Sequence, residues 1–242
     1  MGPLLSTQVT TLTLFRFSGA ARQFWGLSQM GLAPRRLSGI PGLRFYKLLG
    51  SGHLNGFSIW PNWAVYGLLG VWENEAAAQA FLAAHPVMRD YRQHSEAQQT
   101  VFMKACMFHG QWNGGCPFEK GTEFDLTAPV AVLTRATIRW RHLARFWSQV
   151  PPVSRDVESR PGLLFAVGVG ERPLVQQATF SLWQSGKHMQ EYAYRRPQHA
   201  AVIQKTRALG WYKEELFARF VPYRTEGAGF WDVGETNLGL IS

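Results

Sequence analysis

The chain runs twice through one succession of apolar patterns. Residues 11–15, 43–49, 64–72 and 101–108 read as strands, and so do 132–137, 163–169, 178–183 and 215–221. Between the first two strands of each set lies an amphipathic helix with an aromatic pair, Phe24-Trp25 and then Phe146-Trp147. In the second of these, Leu143, Phe146, Trp147 and Val150 recur at i, i+3, i+4 and i+7, one apolar helix face. Helical stretches at 75–84 and 187–194 follow the third strand, and Pro86 or Pro197 then opens another helix, since Pro suits a first helical turn.

The two sets share anchors in the same order. Pro41-Gly42-Leu43-Arg44-Phe45 matches Pro161-Gly162-Leu163-Leu164-Phe165, Trp72 and Pro86 match Trp183 and Pro197, and Gly114 pairs with Gly227. Colinear anchors of this kind indicate an internal duplication. Each copy has the order β-α-β-β-α-β, the ferredoxin-like arrangement. Its antiparallel sheet has helices on one face and must bury the other. Packing the two bare faces together solves the problem. The expected fold is therefore α+β: two tandem ferredoxin-like units forming an intrachain α+β barrel with helices outside the sheets. Residues 1–113 form the first half, 114–128 a Gly-, Pro- and Thr-rich linker, 129–227 the second half and 228–242 an irregular tail.

Composition narrows the class. Hydrophobic residues make up 46% and charged ones 17%, which is globular and not disordered. Ten Trp and sixteen Phe suggest a bulky core or a pocket for a large flat or greasy ligand. The net charge of +9 raises nucleic acid as a partner, but the densest basic stretch, Arg135 to Arg145, is the solvated back of an apolar helix face. No nucleic-acid partner is expected. Cys106 and Cys116 make neither a disulfide framework nor a zinc spacing, which reads as a reduced cytoplasmic protein. No window approaches 18 uninterrupted apolar residues, so no membrane-spanning helix is expected.

No HExxH, Gly-x-Ser-x-Gly or P-loop occurs. His199 stands out among the seven His. With Val202, Ile203 and Thr206 at i+3, i+4 and i+7, it points with the buried stripe of the helix after Pro197. Met88 occupies the corresponding place in the first half. A buried His with a satisfied hydrogen bond is one reading; a proximal haem ligand is another. The facing strands offer Arg135 and Thr137 on one alternation, and Thr179 and Ser181 on another. Lys47 reads as a surface residue.

Several blocks then converge. Leu14-Phe15-Arg16-Phe17, Gln29-Met30-Gly31-Leu32-Ala33, Phe45-Tyr46-Lys47-Leu48-Leu49-Gly50-Ser51-Gly52, Thr179-Phe180-Ser181-Leu182-Trp183, Pro197 with His199-Ala200, and Glu214-Glu215-Leu216-Phe217-Ala218-Arg219-Phe220 are spread through the chain. On these the sequence resembles the spheroidene monooxygenase family, carotenoid 2-oxygenases of purple bacteria. The resemblance implies a haem protein of the dimeric α+β barrel superfamily, alongside aldoxime dehydratases and chlorite dismutases. It implies haem b, with His199 as the iron ligand. Arg135, Thr179 and Ser181 would surround the reacting oxygen, and Arg135, Val202, Ile203, Phe165 and Trp183 would hold the cofactor. O2, an electron donor such as ferredoxin and a lipophilic acyclic carotenoid would be the co-reactants. A homodimer and peripheral contact with the inner membrane are compatible with it. The readings that stay open are a haem-dependent dehydratase, a haem carrier without turnover and a cofactor-free barrel that binds a small hydrophobe.

Overall fold

A computed structural model describes residues 5–52, 60–147, 161–172, 174–194 and 210–231. Its strands are β1 (Val9–Arg16), β2 (Leu43–Gly52), β3 (Pro61–Trp72), β4 (Ala97–Gly110), β5 (Val130–Ile138), β6 (Leu163–Arg172), β7 (Gln176–Trp183) and β8 (Tyr212–Ala228). The helices are α1 (Ala20–Leu37), α2 (Glu75–Ala84), α3 (Pro86–His94), α4 (Leu143–Trp147, after a 3-10 turn at Trp140–His142) and α5 (Gly186–Tyr194). Local chemistry sets these starts. The Asn74 side chain caps α2 by accepting from the Ala77 amide. Pro86 opens α3 as expected, and the His85 ring caps it by accepting from the Val87 amide. The helix expected after Pro197, with His199, Val202 and Ile203, lies outside the described residues.

The strands run β4-β1-β3-β2 in the first half and β8-β5-β7-β6 in the second, the ferredoxin-like order twice over. Antiparallel pairing of β4 with β8 and of β2 with β6 closes them into one barrel. The duplicated α+β barrel is thus the observed fold. Its two seams are unequal: β4 and β8 pair at twelve positions, β2 and β6 at two, Gly50 with Gly170 and Ser51 with Val169.

Each sheet has an inner and an outer face. Leu12, Leu14, Leu49, Leu69, Val101 and Met103 meet Leu133, Val167, Val169, Phe180, Ala218 and Phe220 inside the barrel. Outside, Phe15, Phe17, Leu48, Leu68 and Phe102 pack under Ala33, Leu37, Phe81, Leu82, Met88 and Tyr91 of the three first-half helices. The corresponding outer cluster of the second half, among the described residues, is Val130, Trp183 and Met189.

Two tryptophans close the barrel in matching ways. Trp112 packs on Phe45 with ring centroids 5.4 Å apart, and Trp231 packs on Phe165 at 5.1 Å. Each follows a glycine with positive φ, Gly110 (89°) and Gly227 (78°). A side chain at Gly110 would strike the Glu215 carbonyl, and one at Gly227 the Gln98 carbonyl, so both places demand glycine. The counterpart of Gly227 is therefore Gly110 and not Gly114. The start of the tail is ordered too. Gln99 accepts from the Phe230 and Trp231 amides and donates to the Trp231 carbonyl at 2.9 Å, holding that tryptophan in place. The linker also contributes Phe118 to the interior.

Candidate functional site

The strand registers allow the halves to be compared position by position. Val9 lies opposite Trp72, and Val130 opposite Trp183, so β1 and β3 map onto β5 and β7. Leu43 opposite Trp72 and Leu163 opposite Trp183, each followed by a bulge, map β2 onto β6. On the outer face this sets Phe15 against Ala136, Tyr46 against Ala166, Leu48 against Gly168, and Leu68 against Thr179. On the last strands, Phe102 falls against Arg219. At these five positions the first half presents a large apolar side chain and the second a small or polar one, whereas Val9, Leu43 and Trp72 at the other end of the sheet keep their residue type as Val130, Leu163 and Trp183. Exposure follows. Thr13, Phe15 and Leu68 are buried, whereas Thr134 is exposed and Ala136, Ala166 and Thr179 are only half-buried. The second sheet thus has a shallow floor where the first has a packed wall.

Arg219 borders this floor. Its guanidinium lies over the rings of Phe124 and Phe217, 5.6 and 5.3 Å from their centroids, and its buried Nε has no hydrogen-bond partner among the described residues. Trp183 borders it as well, 5.2 Å from Tyr192, and donates from its indole N–H to Ser181 Oγ at 2.9 Å. In the first half, Trp72 donates instead to Thr11 on the neighbouring strand. Thr11 has become Val132 and Gly70 has become Ser181, so the indole has exchanged partners. The Ser181 oxygen accepts this bond and so holds that ring.

Arg135 and Phe165 lie on the other face, inside the barrel. Arg135, 3% exposed, replaces Leu14 of the first half and pairs with Glu214 through Nη1 and with Glu171 at 3.6 Å through Nη2. Lys47 reaches the same Glu171 at 2.5 Å and is half-buried, correcting the surface reading. Trp112 donates to Glu171 at 2.7 Å and carries the Arg135 guanidinium 5.5 Å over its ring. Burial pushes the Glu214 carboxyl up, but the Gly114 and Asn113 amides and Arg135 more than offset this, leaving it below its ordinary value. Of these four charges only Lys47 belongs to the first half, so its pair with Glu171 is the one that ties the halves together. Arg135 is therefore not brought together with Thr179 and Ser181, and Phe165 packs on Trp231 and not on the outer floor. The inner and outer faces are both covered, so apolar alternation alone could not say which was which. The sequence reading missed Arg219, although β8 carries the signal: Leu216, Ala218 and Phe220 share one face and Arg219 falls on the other.

A groove of about 200 Å³ opens at the short seam, between α1 and α4. Leu27, Met30, Trp63, Tyr66, Trp147 and Leu174 line it, with Gly50 and Gly170 on its floor. Among the described residues no cluster of His, Cys, Asp and Glu is arranged for a metal ion, and no helix is long and apolar enough to cross a membrane.

The chain is 39% identical over 222 residues to the spheroidene monooxygenase of Rhodobacter capsulatus, covering 91% of this chain and 92% of that protein. The chain belongs to the spheroidene monooxygenase family. Members from Rubrivivax gelatinosus and Cereibacter sphaeroides are each 36% identical, with 84% and 66% of their lengths covered. Their common name makes the family one of enzymes that oxidise a substrate. No protein-family model matches the chain. Among solved structures, an aldoxime dehydratase crystallised with butyraldoxime aligns with a TM-score of 0.60 at 11% identity, over 89% of this chain and 79% of that one. Another aldoxime dehydratase gives 0.59 at 13%, over 89% and 81%. At such identity the spheroidene monooxygenase family shares with them the fold alone.

Proposed function

We propose that the chain is a haem-dependent monooxygenase that oxidises a lipophilic, acyclic carotenoid with O2 and electrons from a donor such as a ferredoxin. The observation that carries this reading is the outer face of the second sheet, with Ala136, Ala166, Gly168, Thr179 and Arg219 where the first sheet has Phe15, Tyr46, Leu48, Leu68 and Phe102, in a member of the spheroidene monooxygenase family.

The residues present fit the group. A porphyrin is flat, apolar in its body and anionic at one edge. Ala136, Ala166, Gly168 and Thr179 supply a floor of small side chains. Arg219, with its buried unpartnered Nε, suits a propionate. His199, on the helix expected after Pro197 and with Val202 and Ile203 on the same expected face, would supply the iron ligand. When bound, haem supplies iron-centred activation of O2. The chain's own residues do the rest. Ser181 fixes the Trp183 ring at the border of the floor, Thr179 places a hydroxyl on it, and apolar surroundings hold a long polyene and keep water out.

The test is an absorption spectrum of protein produced with haem, beside His199→Ala and Arg219→Met. A Soret band in the parent, altered in form without His199 and weaker at limiting haem without Arg219, is expected. O2-dependent oxidation of an acyclic carotenoid should follow the band. Absence of any Soret band after haem titration would overturn the reading.

A further inference from the structure

The seam groove has a feature that packing does not account for. Tyr66 is 5% exposed and lines the groove, yet its phenol oxygen is buried with no hydrogen-bond partner among the described residues. Leaving such a group unpaired is costly, so a native fold retains one where something else completes it. Burial pushes the phenol above its ordinary value, and it is a protonated donor at neutral pH. The ring packs edge-to-face with Phe17, with centroids 5.9 Å apart.

Next to Tyr66 the wall falls away. Gly50 pairs with Tyr66 on one side and with Gly170 on the other, so two glycines in a row cross the seam. A Cβ at Gly50 would find only the Gly170 carbonyl, at 3.9 Å. The trench that results is flanked by Leu27 and Met30 on one side and by Trp147 and Leu174 on the other. Trp147 is pinned there by donating to the Leu174 carbonyl at 3.1 Å. Leu27, Trp63 and Leu174 remain 38%, 49% and 41% exposed, an apolar rim of the kind that marks a binding site. At about 200 Å³ the trench falls below the roughly 300–1,000 Å³ of a pocket that swallows a whole ligand, so it accommodates one end of a longer molecule. Gly170 and Gln177 carry it onto β6 and β7, the strands of the shallow outer face.

We propose that the groove is a binding site for the end of a linear apolar chain, with Tyr66 donating a hydrogen bond to an oxygen atom carried near that end. This assignment takes its substrate class from the function proposed above. It adds where the chain enters and which group orients it.

The groove can be tested apart from the haem. An octadecatetraenol with its hydroxyl at the chain end, and the matching octadecatetraene hydrocarbon, are titrated into the haem-loaded and the haem-free protein. Energy transfer from tryptophan to the tetraene is read, since Trp63 and Trp147 line the site. The alcohol should bind more tightly than the hydrocarbon. Tyr66→Phe should erase that preference, about a threefold to tenfold loss for the alcohol alone, as for one neutral hydrogen bond. Gly50→Leu fills the trench and should weaken both probes at least about tenfold. Unchanged melting temperatures establish that both variants fold. Equal binding of alcohol and hydrocarbon by the parent, or undiminished binding by Gly50→Leu, would overturn the proposal. Probe binding with this pattern in a protein that takes up no haem would keep the groove and remove the oxygenase reading.

Discussion

The outer faces of the two sheets began as one surface and now do opposite things. In the first half, Phe15, Leu48, Leu68 and Phe102 press against α1, α2 and α3, and that side is a finished core. In the second half, the matching positions are Ala136, Gly168, Thr179 and Arg219. A fold of this kind gains its stability from buried apolar area, and the first half alone supplies a full complement on its outer side. The second half can then give up side-chain volume for a ligand without the domain losing its frame.

The comparison is broken most directly by rebuilding the wall. Ala136→Phe with Gly168→Leu returns the first-half residues to the second sheet. Haem uptake, read from the Soret band, should fall by more than about a hundredfold, as expected when filled volume replaces a ligand's contact surface. The reciprocal change, Phe15→Ala, should cost about 3–5 kcal/mol in denaturant unfolding and leave the haem band as it was. A Soret loss in Phe15→Ala equal to that of the rebuilt wall would mean that the halves are not divided in this way.

The inner faces differ through Arg135. Arg135→Leu restores the residue of the first half but strands Glu214 and part of Glu171. It should destabilise the protein by about 3–5 kcal/mol, measured by urea unfolding, although leucine is the native residue at the matching position.

These contrasts also mark how far the sequence could be read. The strand order, the duplication and the start of α3 at Pro86 follow from periodicity and turn chemistry, and they were legible. Face assignment was not. A strand covered on both sides is apolar on both alternations, so Arg135 and Thr179 could not be sorted until Leu133 and Phe180 were seen inside the barrel. Trp112 and Trp231 follow glycines in segments without a period, so nothing in the pattern announced them as plugs. Gly114 was matched to Gly227 by residue type, but the physical requirement is a positive φ beside a partner strand, which Gly110 meets. His199 lies outside the described residues, and its role stands on the family resemblance.

A smaller contrast concerns the paired tryptophans. Ser181→Ala should cost about 1–3 kcal/mol by leaving the buried Trp183 indole unpaired. Adding Val132→Thr supplies the partner that Trp72 uses and should recover most of the loss. Smallest is the pH effect of Glu214. Its folded value lies below the ordinary 4.5, so the folded state favours the anion. That contribution is complete above 4.5 and disappears as pH falls through the folded value. Glu214→Gln should flatten this part of the stability–pH curve in acid titration and leave the neutral range parallel to the parent.

The unequal seams give the barrel a mechanical grain. Parting β2 from β6 breaks pairing at two positions, and parting β4 from β8 breaks it at twelve. Thermal opening therefore begins at Gly50 and Gly170, with the long seam acting as the spine of a book. Backbone amides at the short seam should exchange with solvent well before those of β4 and β8. The halves come apart first along the edge where the groove lies, so a stiff chain longer than the trench can be admitted by a small swing of the covers while the spine stays bound.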